Sequence, residues 1–189
     1  MPLDIAAPSD LPEVVALVNG AYRGETSRQG WTTEADYLDG QRTDLATLEA
    51  DLAAAPGARI LVLRDAAAGP ILGSVWLEPV GEGTWYLGML TVRPDLQDRR
   101  LGRSLLEAAE AHAVAQGARR MRMTVVNIRD TLIAWYRRRG YALTGETAPF
   151  PYEDQRFGLP RRDDLEFVVL EKVLPSGDPA PLPSASNRA

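Results

Sequence analysis

The segment from Leu90 to Leu106 carries the residues best suited to chemistry. An apolar run typical of a strand ends at Val92, Pro94 marks a turn, and a polar loop leads into a helical apolar stripe that begins at Leu101. Such a helix N-terminus offers unpaired backbone N–H groups and the positive end of the helix dipole, which together favour a phosphate. Three arginines add positive charge: Arg99, Arg100 and Arg103. The segment therefore predicts an anion site, with an ordinary strand-to-helix turn carrying solvated arginines as the alternative.

The wider charge pattern favours a small polyanionic ligand. Residues 93–139 carry 11 basic and 5 acidic groups, although the whole chain of 189 residues has a formal charge of −5. Nucleic-acid binding usually needs a basic face over the whole domain, so we expect no nucleic-acid partner. The alternative is that these arginines lie on solvated helix faces.

Composition limits the chemistry further. The chain has no Cys, which excludes disulfides, thiolate zinc sites and cysteine nucleophiles, and its single His112 disfavours imidazole metal sites and serine–histidine triads. We therefore expect no metal, and proton transfer by Asp, Glu, Tyr, Lys or water. No apolar run approaches the roughly 18 residues that a membrane span needs, and no signal peptide is readable, so we expect a cytoplasmic protein without a membrane partner.

Hydrophobic periodicity predicts the elements that must position these residues. It predicts helices over 11–22, 43–55, 101–116 and 130–139, with Thr43-Asp44 capping the second and Gly117 and Gly140 following the last two. It predicts strands over 3–6, 59–64, 71–79, 84–92, 121–126, 141–145 and 165–173, with those from 59 to 92 forming an antiparallel meander. Residues 23–41 and the long segment before 165 are typical of loops. The composition predicts one domain over 1–174 and a disordered C-terminal tail over 175–189.

Two motifs resemble those of the GNAT superfamily of acyl-CoA-dependent N-acetyltransferases. The first family motif is a strand ending in Val-x-Pro, then Gln/Arg-x-x-Gly-x-Gly/Ala opening a helix. Its matching residues here are Val92, Pro94, Gln97, Gly102 and Leu105-Leu106, while Arg100 stands in place of the first glycine. The downstream motif is matched by Asn127, Ala134, Tyr136, Gly140 and Tyr141. The similarity covers roughly residues 3–174.

The resemblance implies a fold and a cosubstrate. The fold is α/β (α+β), a single GNAT-like domain with a mixed, mostly antiparallel central sheet of about six or seven strands, about four flanking helices and splayed central strands. The cosubstrate is acetyl-CoA, the acetyl donor. Members of the family often pair through their sheet or helices, so a homodimer is an open expectation.

The resemblance also implies which residues bind the cofactor. Backbone groups of Leu90, Thr91 and Val92, on the splayed strand, would bind the pantetheine arm and the thioester carbonyl. Loop amides would wrap the pyrophosphate, and their residues are Gln97, Asp98, Arg99, Arg100, Leu101, Gly102 and Arg103. Arg99, Arg100 or Arg103 could also meet the adenosine phosphate. Asn127 would hydrogen-bond the pantetheine, with a simple turn residue as the alternative.

Two residues carry the mechanism that the resemblance implies. Tyr136 corresponds to the family's usual general acid, since a phenol with a pKa of about 10 stays protonated at neutral pH to neutralise a departing sulfur. The alternative is core packing, because Tyr136 follows Trp135 near the end of an amphipathic helix. Arg100 decides whether the amide loop persists: it does if the φ angle of Arg100 is negative, whereas a required positive φ would damage the site.

The acceptor side is less defined. Residues 85–89 contain no carboxylate where the family often has a Glu, so the base is unassigned. Glu34, Glu78 and Glu82 are candidates, acting directly or through water, with ordinary solvated acids as the alternative. Acids and aromatics share the two long loops: Glu25, Trp31, Glu34, Asp36, Tyr37, Phe150, Tyr152, Glu153, Asp154 and Phe157. They would suit a cationic amine with an apolar portion, unless the aromatics only anchor the loops. The candidate substrate-binding residues are Trp31, Glu34, Glu78 and Tyr152.

The sequence thus leads to three functional hypotheses. The first is acetyl transfer from acetyl-CoA to a primary amine, most readily of a small molecule, by direct attack; the absence of Cys agrees with this. The second has a peptide or protein amine as the acceptor. The third is a non-catalytic acyl-CoA-binding regulatory module, motivated by Arg100 and by the missing strand carboxylate.

Overall fold

The computed structural model describes residues 3–155 and 158–175. The helices are α1 (Leu11–Tyr22), α2 (Gly24–Ser27), α3 (Leu45–Ala54), α4 (Leu101–Ala115) and α5 (Asp130–Arg137). The strands are β1 (Leu3–Ile5), β2 (Leu38–Asp39), β3 (Arg59–Arg64), β4 (Ile71–Gly81), β5 (Thr84–Val92), β6 (Arg120–Val126), β7 (Ala142–Pro149), β8 (Leu159–Pro160) and β9 (Glu166–Val173). Short 3-10 helices at Pro8–Asp10 and Pro94–Arg99 precede α1 and α4. Phe157 and residues 176–189 of the predicted tail lie outside the described residues.

Seven strands form the main sheet in the order β1-β3-β4-β5-β6-β9-β7. Every neighbouring pair is antiparallel except β5 and β6, which are parallel. Strands β3, β4 and β5 form the predicted meander. Together with the four longer helices, this arrangement confirms the predicted mixed, mostly antiparallel sheet.

The two long segments predicted as loops contain short elements. Residues 23–41 include α2 and β2, and β2 pairs antiparallel with β8, with Leu38 opposite Pro160. A strand of two residues is too short to show periodicity, and its partner lies far along the chain, so local sequence could not reveal it.

Helices cover both faces of the main sheet. Alternate residues of β3 belong to different apolar clusters, as expected for a strand buried on both faces: Leu61 and Leu63 in one, Ile60 and Val62 in the other. The first cluster includes the apolar stripe of α4, and the second includes apolar residues of α1 and α3. Each fully buried side chain of this size contributes about 1.5–3 kcal/mol to the stability of the fold. The packing of the apolar stripe of α4 against the sheet therefore fixes the position of this helix and of its N-terminus.

The predicted Asp44 cap and the predicted glycines after α4 and α5 are confirmed, while α5 ends at Arg137, two residues before the predicted end. The Asp44 carboxylate accepts a hydrogen bond from the backbone N–H of Thr47 at 2.8 Å and so caps α3. Gly117 and Gly140, after α4 and α5, have φ angles of 86° and 90°, which glycine adopts without strain. In the part of the chain that the structure describes, no helix is both long and apolar enough to cross a membrane.

The parallel strands β5 and β6 pair over a short stretch and then separate. Their register runs only from Thr84 to Tyr86, opposite residues 120–122. Beyond it, the pairing of β5 with β4 is irregular near Met89, whose φ angle of 46° is left-handed. This irregularity turns β5 away from β6 and leaves a gap at the centre of the sheet, which is the predicted splay.

Gly73 keeps β4 close to the separated end of β5. A Cβ at this position would lie 2.9 Å from the Thr91 carbonyl oxygen and 3.2 Å from Cδ2 of Leu105. Gly73→Ala should therefore lower the free energy of unfolding by about 1–3 kcal/mol, because backbone atoms would have to move. Gly20→Ala is the matched control: a Cβ there meets nothing within 4 Å. On α1, alanine should raise the same free energy by about 0.5–1 kcal/mol. Urea unfolding measures both, and effects of the same sign would contradict the close approach of β4 and β5.

Candidate active site

A cleft of about 310 Å³ lies between the end of β5, the N-terminus of α4, helix α5 and the loop after α2. The predicted site residues that line it are Trp31, Leu90, Val92, Gln97, Arg100, Gly102, Arg103 and Tyr136. The lining residues that the sequence did not single out are Tyr22, Thr32, Arg129, Leu132, Trp135 and Arg139. We call this cavity the cleft.

The N-terminus of α4 gives the cleft its hydrogen-bond donors. The first helical hydrogen bond runs from the Ser104 N–H to the Arg100 carbonyl, at 3.1 Å. The amides of Leu101, Gly102 and Arg103 therefore have no partner within the helix. The preceding Pro94–Arg99 segment is a 3-10 helix, whose amides bond to carbonyls three residues earlier. The unpaired donors are therefore at the C-terminal end of the loop predicted over residues 97–103.

Arginines surround these amides. Arg100, Arg103 and Arg139 all line the cleft. The Arg139 guanidinium lies 3.5 Å from the centre of the Trp135 ring, and its buried Nε has no hydrogen-bond partner among the described residues. Burial, together with the charges of Arg138 and Arg103, lowers the pKa of Arg139. An anion placed in the cleft would relieve this repulsion, so this end of the cleft fits phosphate groups.

Arg100 adopts the left-handed conformation, with φ 63° and ψ 8°. Its side chain is exposed at the edge of the cleft. The sequence raised a positive φ as the condition that would damage the site. In the structure α4 nevertheless begins at the next residue, and the strain of about 1–3 kcal/mol is carried by Arg100 itself.

The Gln97 side chain binds a neighbouring loop. Its Oε1 accepts from the Trp31 N–H at 2.9 Å, and its Nε2 donates to the Thr32 hydroxyl at 2.8 Å and to the Val92 carbonyl at 3.3 Å. A Cβ on Gly30 would lie 2.6 Å from Gln97 Oε1, so only glycine allows this contact. The loop over residues 30–32 is thereby fixed above the cleft. Trp31, which is 39% exposed, reaches the Trp135 ring there at 6.2 Å.

Tyr136 is buried, with 5% of its surface exposed, and forms edge-on ring contacts with Trp135 at 4.9 Å and Tyr141 at 5.6 Å. Its hydroxyl has no hydrogen-bond partner within residues 3–155 and 158–175. Burial, helped by the nearby Tyr22, raises the pKa of Tyr136 well above its ordinary value, although Arg129 opposes the shift. The side chain thus packs in the core, as the alternative expected, and it also lines the cleft.

Tyr22 fixes the backbone of the separated strand. Its hydroxyl donates to the Leu90 carbonyl at 2.7 Å, which leaves this oxygen one further lone pair to accept a hydrogen bond. The Leu90 side chain still lines the cleft. Thr91 is buried and donates its hydroxyl to the Met89 carbonyl at 2.8 Å, which supports the irregular turn of β5. Tyr22 lies 68 residues from Leu90, so no local pattern could indicate this contact.

Glu34 lies in a buried ionic network. It pairs with Arg23 and, at 2.9 Å, with Arg129, which also donates to the Thr32 carbonyl at 2.7 Å. Burial alone would raise the pKa of Glu34, but Arg129 and Arg23 outweigh it and hold the pKa below its ordinary value. Glu34 is therefore a buried, ionised and paired carboxylate, and it is not the solvated acid that the sequence allowed.

A second cavity, of about 330 Å³, lies behind Tyr136. It shares five lining residues with the cleft: Tyr22, Leu90, Arg129, Leu132 and Tyr136. Its further walls include Glu34, Arg42, Gly88 and Met89, together with Tyr86, whose hydroxyl pairs with that of Thr124 at 3.0 Å. Tyr136 thus stands where the two cavities meet.

Several predicted site residues lie elsewhere. Glu78 lines a groove of about 380 Å³ that shares Arg42 and Met89 with the second cavity, and it accepts from Trp76 Nε1 at 3.2 Å. The Tyr152 hydroxyl accepts from the Leu165 N–H at 2.7 Å, away from both the cleft and the second cavity.

The remaining predicted site residues form contacts within the fold or lie outside the lining of the cleft. The Asn127 side chain donates to the Asp164 carbonyl at 2.9 Å and accepts from the Ile128 N–H at 3.0 Å, which is the turn role allowed as the alternative. The Leu101 side chain is in the core, and Arg99 is exposed outside the cleft lining. The Asp98 side chain lies outside the described part of the structure.

Comparisons with known proteins agree with this geometry. The sequence model of the acetyltransferase (GNAT) family matches residues 20–141. An L-methionine sulfoximine/L-methionine sulfone acetyltransferase of Pseudomonas paraeruginosa is 32% identical over 171 residues, which cover 87% of this chain and 91% of that protein. The protein of the same name in Pseudomonas aeruginosa PAO1 matches to the same extent.

Solved structures show the same fold at low identity. The ribosomal-protein-alanine N-acetyltransferase from Brucella melitensis has a TM-score of 0.66 at 18% identity, over 92% of this chain and 100% of that one. The ribosomal-protein-S18-alanine N-acetyltransferase from Escherichia coli has a TM-score of 0.65 at 15% identity, over 94% and 96%.

Two substitutions at Arg100 separate backbone strain from charge. Arg100→Gly should exceed Arg100→Ala in free energy of unfolding by about 1 kcal/mol, because both lack the guanidinium but only glycine adopts this φ without strain. Because Arg100 lines the cleft, each should weaken CoA binding by about tenfold or less. Urea unfolding and calorimetric CoA titration measure the two effects. Equal stabilities would refute the strain, and unchanged affinities would remove the guanidinium from the site.

Proposed function

Because the chain belongs to the GNAT acetyltransferase family, we propose that it transfers the acetyl group of acetyl-CoA to the primary amine of a small molecule, with Tyr136 as the general acid. The family and the curated relative make the chain an acetyl-transferring enzyme, which removes the non-catalytic module as an alternative. The observation that carries the proposal is the position of Tyr136 at the junction of the cleft and the second cavity.

The cleft fits the donor. Amides of Leu101, Gly102 and Arg103 would hold the diphosphate, with the charges of Arg100, Arg103 and Arg139 in the lining of the cleft. Leu90 would lie along the pantetheine arm, on the stretch of β5 that has separated from β6. When bound, the thioester supplies an activated acetyl group, which passes to the amine nitrogen as the carbon–sulfur bond breaks.

Tyr136 holds the proton that this reaction needs. Burial raises the pKa of its hydroxyl, so the phenol is protonated at neutral pH and donates to the sulfur that leaves. No described residue competes for this proton, since the hydroxyl has no hydrogen-bond partner in the structure. Tyr22 keeps Leu90 in place beside it.

The amine must lose a proton before it attacks. Glu34 is the only carboxylate among the described residues that line the second cavity. It is paired with two arginines, so it is poorly suited to accept the proton. Glu78 lies in the adjoining groove and would accept the proton through water. This assignment leaves the deprotonation to a weakly positioned base, which agrees with the lack of a carboxylate on residues 85–89.

The size of the second cavity and the relatives support a small acceptor. A cavity of about 330 Å³ suits a molecule of metabolite size. The curated relatives act on L-methionine sulfoximine and L-methionine sulfone, which are small primary amines. L-methionine sulfone is therefore the acceptor with which activity should first be tested.

Tyr136→Phe should lower kcat by about a hundredfold or more, because general-acid catalysis contributes about 10²–10⁴-fold. The affinity for CoA should be unchanged. Thiol release with L-methionine sulfone and calorimetric CoA titration measure these two quantities. The matched control is Tyr141→Phe, which removes a buried hydroxyl bonded to Glu110 at 2.9 Å; it should lower stability by about 1 kcal/mol and leave kcat unchanged. A kcat of Tyr136→Phe within about twofold of wild type would eliminate Tyr136 as the acid.

The pH dependence follows from the raised pKa of Tyr136. A general acid is active while protonated, so its loss appears as a fall of kcat when the pH rises through its pKa. Because burial puts that pKa above the ordinary value of 10.0, kcat should not fall between pH 7 and about 10. Saturating thiol-release rates measure this profile. A fall near pH 8 or 9 that is absent in Tyr136→Phe would contradict the raised pKa of Tyr136.

A further inference from the structure

Residues 30–32, which we call the strap, lie over the donor side of the site. Trp31 and Thr32 line the cleft together with Gly102 and Arg103 of α4, and they are not among the described residues that line the second cavity. The acetyl donor would occupy the cleft, and the acceptor would occupy the second cavity. The position of Trp31 therefore favours a contact with the donor, although the sequence placed it among the acceptor candidates.

Gln97 ties the strap to β5 and to the segment that leads into α4. Its side chain accepts from the Trp31 N–H and donates to the Thr32 hydroxyl, and it also donates to the Val92 carbonyl at the end of β5. Gly30 allows this packing, because a Cβ there would lie 2.6, 2.7 and 2.7 Å from three atoms of the Gln97 side-chain amide. The strap thus has a fixed position relative to the amides at the start of α4.

Arg129 ties the strap to α5 from the other side. Its side chain is only 10% exposed, and it donates to the Thr32 carbonyl at 2.7 Å and to Glu34 at 2.9 Å. Arg129 directly precedes α5, the helix that carries Trp135 and Tyr136. Hydrogen bonds from a charged donor are about twice as strong as those between neutral groups. The strap is therefore held before a ligand binds, so little ordering entropy is lost when a ligand packs against it.

The Trp31 ring is not needed to hold the strap. The hydrogen bonds that fix the strap come from its backbone and from the Thr32 hydroxyl. The ring itself is 39% exposed and meets the Trp135 ring at a centroid distance of 6.2 Å and an angle of 44°. A large aromatic side chain that is partly exposed on a fixed loop gains free energy when a ligand covers it. The two rings therefore form an aromatic surface in the lining of the cleft.

Trp135 links the two ends of the cleft. Its Cζ2 atom would lie 3.7 Å from a Cβ at Gly102, near the start of α4, and its ring centroid lies 4.9 Å from that of Tyr136. Trp31 contacts this ring, so the aromatic surface covers the middle of the cleft. In acetyl-CoA, the group between the diphosphate and the sulfur is the pantetheine arm, which carries a geminal dimethyl group. An apolar group of this kind packs well on an aromatic ring.

We propose that Trp31, held in place by Gln97 and Arg129, packs against the pantetheine arm of bound acetyl-CoA. This assignment rests on the proposed function for the identity of the ligand in the cleft. Trp31 is a donor-binding residue, and Gln97 is a positioning residue that acts through the strap and not on the phosphates.

Calorimetric titration of two ligands tests the contact: CoA, and 3′-phospho-ADP, which is the nucleotide half of CoA and lacks the pantetheine arm. Trp31→Ala should weaken CoA binding by about tenfold, the effect of losing one aromatic contact, whereas Trp31→Phe should stay within about threefold of wild type. The affinity for 3′-phospho-ADP should change by less than about twofold in both variants. Unchanged CoA affinity in Trp31→Ala, or equal losses for the two ligands, would overturn the proposal.

Gln97→Ala tests the positioning role. Release of the strap should weaken CoA binding by about threefold to tenfold and 3′-phospho-ADP binding by less than about twofold. In a Trp31→Ala background, Gln97→Ala should have no further effect on CoA affinity, because the ring that it positions is absent. The matched control is Gln29→Ala, which shortens an exposed glutamine next to the strap and should leave CoA affinity unchanged. Additive losses from Gln97→Ala and Trp31→Ala would overturn the positioning role.

Steady-state kinetics separate a donor role of Trp31 from an acceptor role. Trp31→Ala should raise KM for acetyl-CoA by about tenfold and leave KM for L-methionine sulfone within about twofold of wild type. The opposite pattern, a raised KM for L-methionine sulfone alone, would place Trp31 with the acceptor and overturn the proposal.

The same measurements separate the Trp31 contact from the proposed function. If Trp31→Ala weakens CoA binding selectively but the wild-type enzyme releases no thiol with L-methionine sulfone or other small amines, the contact stands and the proposed catalysis fails. If the wild-type enzyme acetylates L-methionine sulfone while Trp31→Ala binds CoA as tightly as wild type, the proposed function stands and the contact fails.

Discussion

The separation of β5 from β6 is the constraint on which the site depends. The two strands pair over three residues, and from Leu87 onward the backbone of β5 must find other partners. Two side-chain hydroxyls supply such partners: Tyr22 donates to the Leu90 carbonyl, and Thr91 donates to the Met89 carbonyl. Met89 is left in a strained conformation. The gap that results is where the cleft and the second cavity meet at Tyr136.

The buried ionic network couples the two sides of this gap. Glu34 belongs to the loop after α2, Arg23 directly follows α1, and Arg129 directly precedes α5, which carries Tyr136. Removing one partner of a buried ion pair usually destabilises a protein by about 3–5 kcal/mol, because a charge is left uncompensated. The network therefore ties the acceptor cavity to the helix that presents the general acid.

The sequence predicted the parts of the fold that local chemistry determines. The helices at 11–22 and 101–116 and the meander from 59 to 92 follow from apolar periodicity, and Asp44 follows from capping chemistry. Two motifs were enough to identify the family and its mixed sheet. Periodicity could not indicate β2 and β8, because two-residue strands exist only through their pairing with each other.

The missed features of the site depend on partners distant in the chain. Gln97 is 66 residues from Trp31, and Arg129 is 95 residues from Glu34. No local pattern marks such pairs, so Gln97 was assigned to the phosphate loop and Glu34 to the acceptor. Arg139 was not singled out by any local pattern, although folding brings it into the lining of the cleft together with Gly102 and Arg103 of α4.

The most direct test of the central claim is a crystal structure of the protein with CoA. We expect the CoA sulfur within about 3.5 Å of the Tyr136 hydroxyl, and the diphosphate on the amides of Leu101 to Arg103. CoA bound with its sulfur away from the junction of the cleft and the second cavity, or with its diphosphate away from the start of α4, would contradict the proposed site.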